Sequence, residues 1–235
     1  MIPIGSWGWR KVFFTPEQAR KKNKLITVLN LKLCDENRRL DVTTLKKNKV
    51  VFITGDGNSL PQDVKEFMSW GIPHDLYCVN RSMLFFERQV DHWAAIDIEE
   101  STWFAENVNF KVEPERHIVR HTVGFCDISY DVGWMMDFDC TNEFQRRVFV
   151  GNTGYFALLT SLKMGYEKIV LGGMPLDNNN HWYEPEDAPG PHWNGMTYIQ
   201  WMQFKIEHPE AGKVKSMGGY SAFILGKADK EWIAR

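Results

Sequence analysis

The chain has 235 residues, and its 28 Lys+Arg against 30 Asp+Glu leave a formal net charge of -2. That length buries one sizeable core, so a single α/β domain with decorations fits better than two full domains. The near-cancelling charges supply no global basic field of the kind that marks nucleic-acid or anionic-membrane binding.

No apolar run is long enough to span a bilayer, and the opening MIPIGSWGWRKVFF lacks a signal-peptide core. The expectation is a cytoplasmic protein with no membrane span, with a homo-oligomer left open. Cys34, Cys78, Cys126 and Cys140 are widely spaced with no Cys-x-x-Cys, as reduced structural thiols would be.

Residues 1–48 form an extension expected to pack on the core as a peripheral helix and strand. Its basic runs, Arg20-Lys21-Lys22-Asn23-Lys24 and Lys46-Lys47, flank the apolar Leu25–Leu29 and read as a solvated face. The main domain is expected over 49–235. Val50–Thr54 is an apolar run that collapses into Gly55-Asp56-Gly57-Asn58-Ser59, the pattern of a buried parallel strand entering a helix. Ser59 with Gln62 fits a capping box, and Leu60, Val64, Phe67 and Met68 recur at helical spacing. Glycines admit close backbone approach and a helix N-terminus favours an anion, so this turn reads either as a phosphate-facing corner or as a tight βα turn without a ligand.

Further strands are expected at Leu76–Asn80, His92–Asp97 and His117–His121, with a short helix over Glu99–Asn107 and an irregular stretch over 123–147. That stretch carries Asp127, Asp131, Asp137 and Asp139, read as solvated loop acids. Gly151-Asn152-Thr153-Gly154 caps a helix whose Tyr155, Leu158, Leu159 and Leu162 fall at i, i+3, i+4 and i+7; Gly165 ends it, and Lys168–Gly173 is the next strand. Alternating strands and helices imply a Rossmann-like, mostly parallel sheet flanked by helices, with ligands beyond the carboxyl ends of the strands.

Gly55, Asn80, Asp97 and Gly173 lie on that edge, where Asn80 and Asp97 either contact a ribose or base or cap the following helices. Thr153 divides between capping and ligand contact. After Gly173 comes a lid-like loop, about 174–192, in which Asp177-Asn178-Asn179-Asn180 runs into His181-Trp182-Tyr183 and then Pro-Gly-Pro-His192. Histidine titrates near neutrality, so His192 and His181 are candidate general bases, each with the alternative of a structural ring bonded to the backbone. The spacing of Asp177, His181 and His192 matches no zinc pattern.

The combination of VVFITGDGNSL, LYCVNRSMLFF and GNTGYFALLTSLKMGYEKIVLGGMPLD resembles the Rossmann-like superfamily that holds bacterial sialyltransferases of glycosyltransferase family 42 and archaeal hydroxymethylpterin pyrophosphokinase-like proteins. The match covers about 50–205. Gly-Met-Pro-Leu-Asp, His-Trp-Tyr and Ser216-Met217-Gly218-Gly219 resemble uncharacterised phage and prophage members in particular. The resemblance implies a CMP-sugar held by Gly55, Gly57 and Ser59 of the first turn, by Asn80, and by Thr153-Gly154, with Tyr183 on the phosphate and His192 as base. Asp56, Asn58, Asn152, Gly173 and Asp177 are further nucleotide-binding candidates by their place in the turns and loops at the strand ends, beside Asp97.

Asp56 stands where the family has an asparagine, Pro175 replaces an aspartate, and Asp177 stands where a second lid tyrosine belongs. An aspartate beside a phosphate needs a cation or a ribose partner. The resulting expectation is a sialyltransferase-like glycosyltransferase that moves a sugar from a CMP-sugar to an acceptor hydroxyl with no further cofactor. Two alternatives stand beside it: a Mg²⁺-dependent pyrophosphokinase or phosphotransferase, and a non-catalytic phage module that binds a nucleotide or glycan.

Overall fold

The computed structural model describes residues 46–88, 90–95, 116–119, 128–129, 152–185 and 195–235. Among these residues, seven parallel strands form one sheet: β1 Val50–Thr54, β2 Asp75–Val79, β3 His92–Ala95, β4 Arg116–Val119, β5 Ile128–Ser129, β6 Lys168–Gly172 and β7 Val214–Ser216. Their order is β5-β4-β3-β2-β1-β6-β7. The chain steps outward from β1 in one direction as far as β5, then returns to pair β6 on the other side of β1. Strand order therefore reverses between β1 and β6, and the loops leaving these two strands part to opposite sides of the sheet. This is the Rossmann-like arrangement expected from the alternating pattern.

Helices α1 Leu60–Ser69, α2 Thr153–Lys163, α3 Gly195–Glu207, α4 Gly219–Leu225 and α5 Lys230–Ala234 flank the sheet, with 3-10 turns at Asn80–Phe85 and Ala211–Lys213. Side chains alternate faces along each strand. Val51 and Ile53 of β1 join Tyr77, Ile169 and Leu171 against α2 and α3, while Val50 and Phe52 join Leu76, Cys78 and Val170 against Phe67 of α1. Both faces are covered, which is why the strands are continuous apolar runs. α2 is buried along Thr153–Leu162, packed between the sheet and Trp201 and Phe204 of α3. Among the described residues, no helix is long and apolar enough to cross a membrane.

Several local expectations change. Ser59 makes no capping bond: its backbone is helical, at φ -72° and ψ -10°, rather than in the extended conformation of a capping residue, and its hydroxyl instead donates to Asp63 Oδ2 at 2.9 Å. Asn152, not Thr153, caps α2, with Oδ1 accepting from Tyr155 N–H at 3.1 Å; Thr153 is the first helical residue. The stretch read as irregular contains β5, and β7 was not expected at all. The extension through residue 45, the Glu99–Asn107 helix, the four loop acids, Cys34, Cys126, Cys140, Asp97 and His192 lie outside the described residues. Where the extension meets the core, Lys47 N–H and Asn48 Nδ2 donate to the two oxygens of buried Asp75 at 2.8 and 2.7 Å.

Candidate functional site

The loops after β1 and β6 cross in contact before they diverge. Gly55 N–H donates to Gly172 O at 2.9 Å, and Gly57 N–H to Gly173 O at 2.8 Å. A Cβ on Gly57 would lie 2.4 Å from Pro175 Cδ and 2.8 Å from Gly173 O. Gly173, at φ 62°, passes so close that its own Cβ would sit 2.4 Å from Gly55 O. Its amide donates to Asp63 Oδ2 at 2.8 Å. Burial raises the Asp63 carboxyl above its ordinary value, against the opposing effect of this amide and of Ser59. The glycines thus bring two loops together, and the amides of Gly55 and Gly57 are spent on that contact rather than left for an anion.

Beyond the crossing, at the carboxyl ends of the strands, lies a cavity of about 290 Å³. This is at the lower end of the roughly 300–1,000 Å³ typical of small-molecule sites. Gly55, Asp56 and Gly57 line it from the first loop, Asn80 from the end of β2, Asn152, Thr153 and Gly154 from the start of α2, Gly173 and Asp177 from the loop after β6, and His181 from the lid. Asn58, Ser59 and Tyr183 do not line it. Val79, Met174, Pro175, Leu176, Asn179 and Trp201 do, although none of them was expected from the sequence to contact a ligand. Trp201 sits one helix further along the chain, and only its packing onto Tyr155 brings it to the site.

On this lining the buried atoms Asn80 Oδ1, Asn152 Nδ2 and Trp201 Nε1 have no hydrogen-bond partner among the described residues, the last on a side chain with no exposed surface. Leaving such an atom unsatisfied costs about 1–3 kcal/mol, so each asks for a ligand atom. The first turn of α2 adds two more donors. Tyr155 N–H is taken by the Asn152 side chain and Phe156 N–H by the Asn152 carbonyl, while the amides of Thr153 and Gly154 meet no acceptor among the described residues. Donors therefore gather at the positive end of an eleven-residue helix. Asn80 and Leu176, with φ of 51° and 55°, are the two non-glycine residues at positive φ among the described residues, and both line the cavity. Backbone strain of this kind collects at ligand sites.

Among the described residues, the ionisable side chains on the lining are Asp56, Asp177 and His181, with no lysine or arginine. Asp56 Oδ2 accepts from Arg81 N–H at 3.3 Å, and Asp177 accepts from the backbone and side-chain amides of Asn179 at 3.1 and 2.8 Å.

The lid is strapped onto the first loop. Gly57 and His181 form an antiparallel bridge, Trp182 N–H donates to Asp56 O at 3.0 Å, and the Trp182 ring meets Phe85 edge-on at 5.2 Å. His181 Nδ1 lies 2.8 Å from Glu184 Oε2, which also accepts the His181 amide at 2.8 Å. Burial alone would raise the Glu184 carboxyl, but these bonds and the imidazole override it and hold the group below the usual glutamate range. The Tyr183 ring stacks parallel on His181 at 5.3 Å, and the Arg81 guanidinium lies over the Tyr183 ring, 5.3 Å from its centre. Tyr183 therefore supports the His181 ring beside the cavity. Glu184 escaped the sequence reading, although its position three residues after His181 was the available signal.

No protein-family model matches the chain. No curated protein matches it either.

Proposed function

We propose that this protein binds a nucleotide with a single phosphate in the switch-point cavity, most simply a CMP-sugar, and transfers the sugar to an acceptor hydroxyl. The observation that carries this reading is the set of unsatisfied donors around the start of α2: the amides of Thr153 and Gly154, Asn152 Nδ2 and Trp201 Nε1. Aligned amides and a helix dipole stabilise one phosphate without a cation. As the glycosidic bond to phosphate breaks, negative charge grows on the leaving nucleotide, and fixed donors there lower the barrier because they need no reorganisation. Asn80 Oδ1 supplies an acceptor for a base or ribose donor on the same ligand.

A second reading is supported by Asp56 and Asp177, which line the cavity, where no lysine or arginine stands among the described residues. A polyphosphate beside two carboxylates requires Mg²⁺, as phosphoryl and pyrophosphoryl transfer ordinarily do.

Calorimetric titration of the full chain with CMP, UMP, CDP, ATP and GTP, each with EDTA and with Mg²⁺, separates the readings. The transferase reading expects CMP to bind equally in both conditions. Binding of ATP or GTP alone, and only with Mg²⁺, replaces it with the phosphotransferase. No nucleotide binding under either condition replaces both with a module whose aromatic lid grips another partner.

A further inference from the structure

We infer that His181 is the proton acceptor for the incoming hydroxyl and that Glu184 is its positioning residue, a dyad carried wholly by the lid. The inference rests on the transferase reading of the cavity and deepens it. Glu184 Oε2 engages Nδ1 at 2.8 Å. A carboxylate can only accept, and the depressed Glu184 carboxyl remains ionised at neutral pH, so the neutral imidazole carries its proton on Nδ1. Its lone pair is then on Nε2, which makes no hydrogen bond among the described residues, in a residue that lines the cavity. The ring is held on three sides: the bridge to Gly57 fixes its backbone, Tyr183 stacks on its face, and the Glu184 carboxylate binds both its amide and its Nδ1. A base oriented by a second group in this way needs no rearrangement to meet a hydroxyl proton.

The step balances without a further reactant. The acceptor oxygen forms its bond to the anomeric carbon as its proton passes to Nε2. The bond from that carbon to the phosphate oxygen breaks, its electron pair stays on CMP, and the imidazolium later releases the proton to water. Glu184 keeps the imidazolium stable without taking the proton itself.

Long-range proton–nitrogen NMR spectra of the ¹⁵N-labelled full chain, at a pH where His181 is neutral, test the assignment directly. The wild-type ring is expected as the Nδ1–H tautomer, and Glu184→Gln, whose amide can donate as well as accept, is expected to mix the two tautomers. CMP affinity, measured in parallel, is expected to stay within twofold in Glu184→Gln and in His181→Ala, because a base acting on the acceptor leaves the donor alone. A wild-type ring protonated on Nε2, or a tautomer unmoved by Glu184→Gln, overturns the dyad. A tenfold loss of CMP affinity in His181→Ala overturns the role as base and makes His181 a donor contact. Failure of the wild type to bind CMP sinks the nucleotide reading, while the tautomer result stays readable.

Discussion

Replacing Gly57 by alanine places one methyl group where two loops cross. Ordinary carbon contacts lie at about 3.5–4.0 Å, and the added Cβ would stand 2.4 Å from Pro175 Cδ and 2.8 Å from Gly173 O. Neither neighbour can retreat. Pro175 is a ring whose carbonyl accepts Tyr220 N–H at 2.8 Å, with Gly219 packed against its other side, and Gly173 O is held by the Gly57 amide itself. Overpacking of a well-filled site costs about 1–3 kcal/mol, and with both contacts rigid the upper end applies, so a loss of about 3 kcal/mol is expected. Gly212→Ala is the control, since no atom lies within 4 Å of its added Cβ. There, reduced freedom of the unfolded chain is expected to leave stability unchanged or raise it by up to about 1 kcal/mol. Urea unfolding of the two variants beside wild type gives the comparison. If Gly57→Ala matches Gly212→Ala within about 0.5 kcal/mol, the crossing is looser than described and the reason for glycine at position 57 is lost.

Trp201→Phe keeps an aromatic ring against Tyr155 but removes the unpartnered indole N–H, and should weaken CMP binding by about 1 kcal/mol, roughly fivefold in Kd, read by calorimetry on folded protein. Cys78 is fully buried and its thiol is pushed up to about 12 by that burial, so iodoacetamide at pH 8 should leave the Cys78 peptide unmodified in native protein and label it in urea, as mass spectrometry would show. Asp63 is held above its ordinary value by burial, so the fold binds its proton more tightly than the unfolded chain does, and its contribution to stability declines as pH rises from the ordinary aspartate value through the folded one. Asp63→Asn retains an oxygen for Ser59 and Gly173. Its stability relative to wild type should therefore increase between pH 4 and pH 7 in urea titrations, and a difference independent of pH would contradict the raised carboxyl.

The sheet was legible because its strands are unbroken apolar runs. Val50–Thr54 and Lys168–Gly172 could only be buried on both faces, and Asn152 and Gly165 bracket α2 by cap chemistry alone. β7 was not legible, because three residues with Lys215 in the middle carry no periodic signal. The glycine-rich turn was placed correctly at the sheet edge, but its chemistry depends on a loop more than 110 residues later, and Gly173 and Pro175 explain the glycines better than a phosphate does. Ser59 misled for a related reason. Its capping partner was inferred from neighbours in sequence, whereas Asp63 was recruited by a backbone amide across the crossing. Most of the candidate lining was within reach of strand-end reasoning. Trp201 was not, since helix packing alone brings an indole to the start of α2.

The central claim is that the start of α2 holds the phosphate of a nucleotide without a metal. Backbone amide and indole resonances of the ¹⁵N-labelled full chain, followed by NMR during titration with CMP in EDTA, test it most directly. The account predicts that the largest saturable shifts fall on the Thr153 and Gly154 amides and on the Trp201 indole N–H, with those of Gly55 and Gly57 moving less because their amides are already bonded. Saturable shifts centred on Gly55 and Gly57 with α2 unmoved, or none at any CMP concentration, would contradict it.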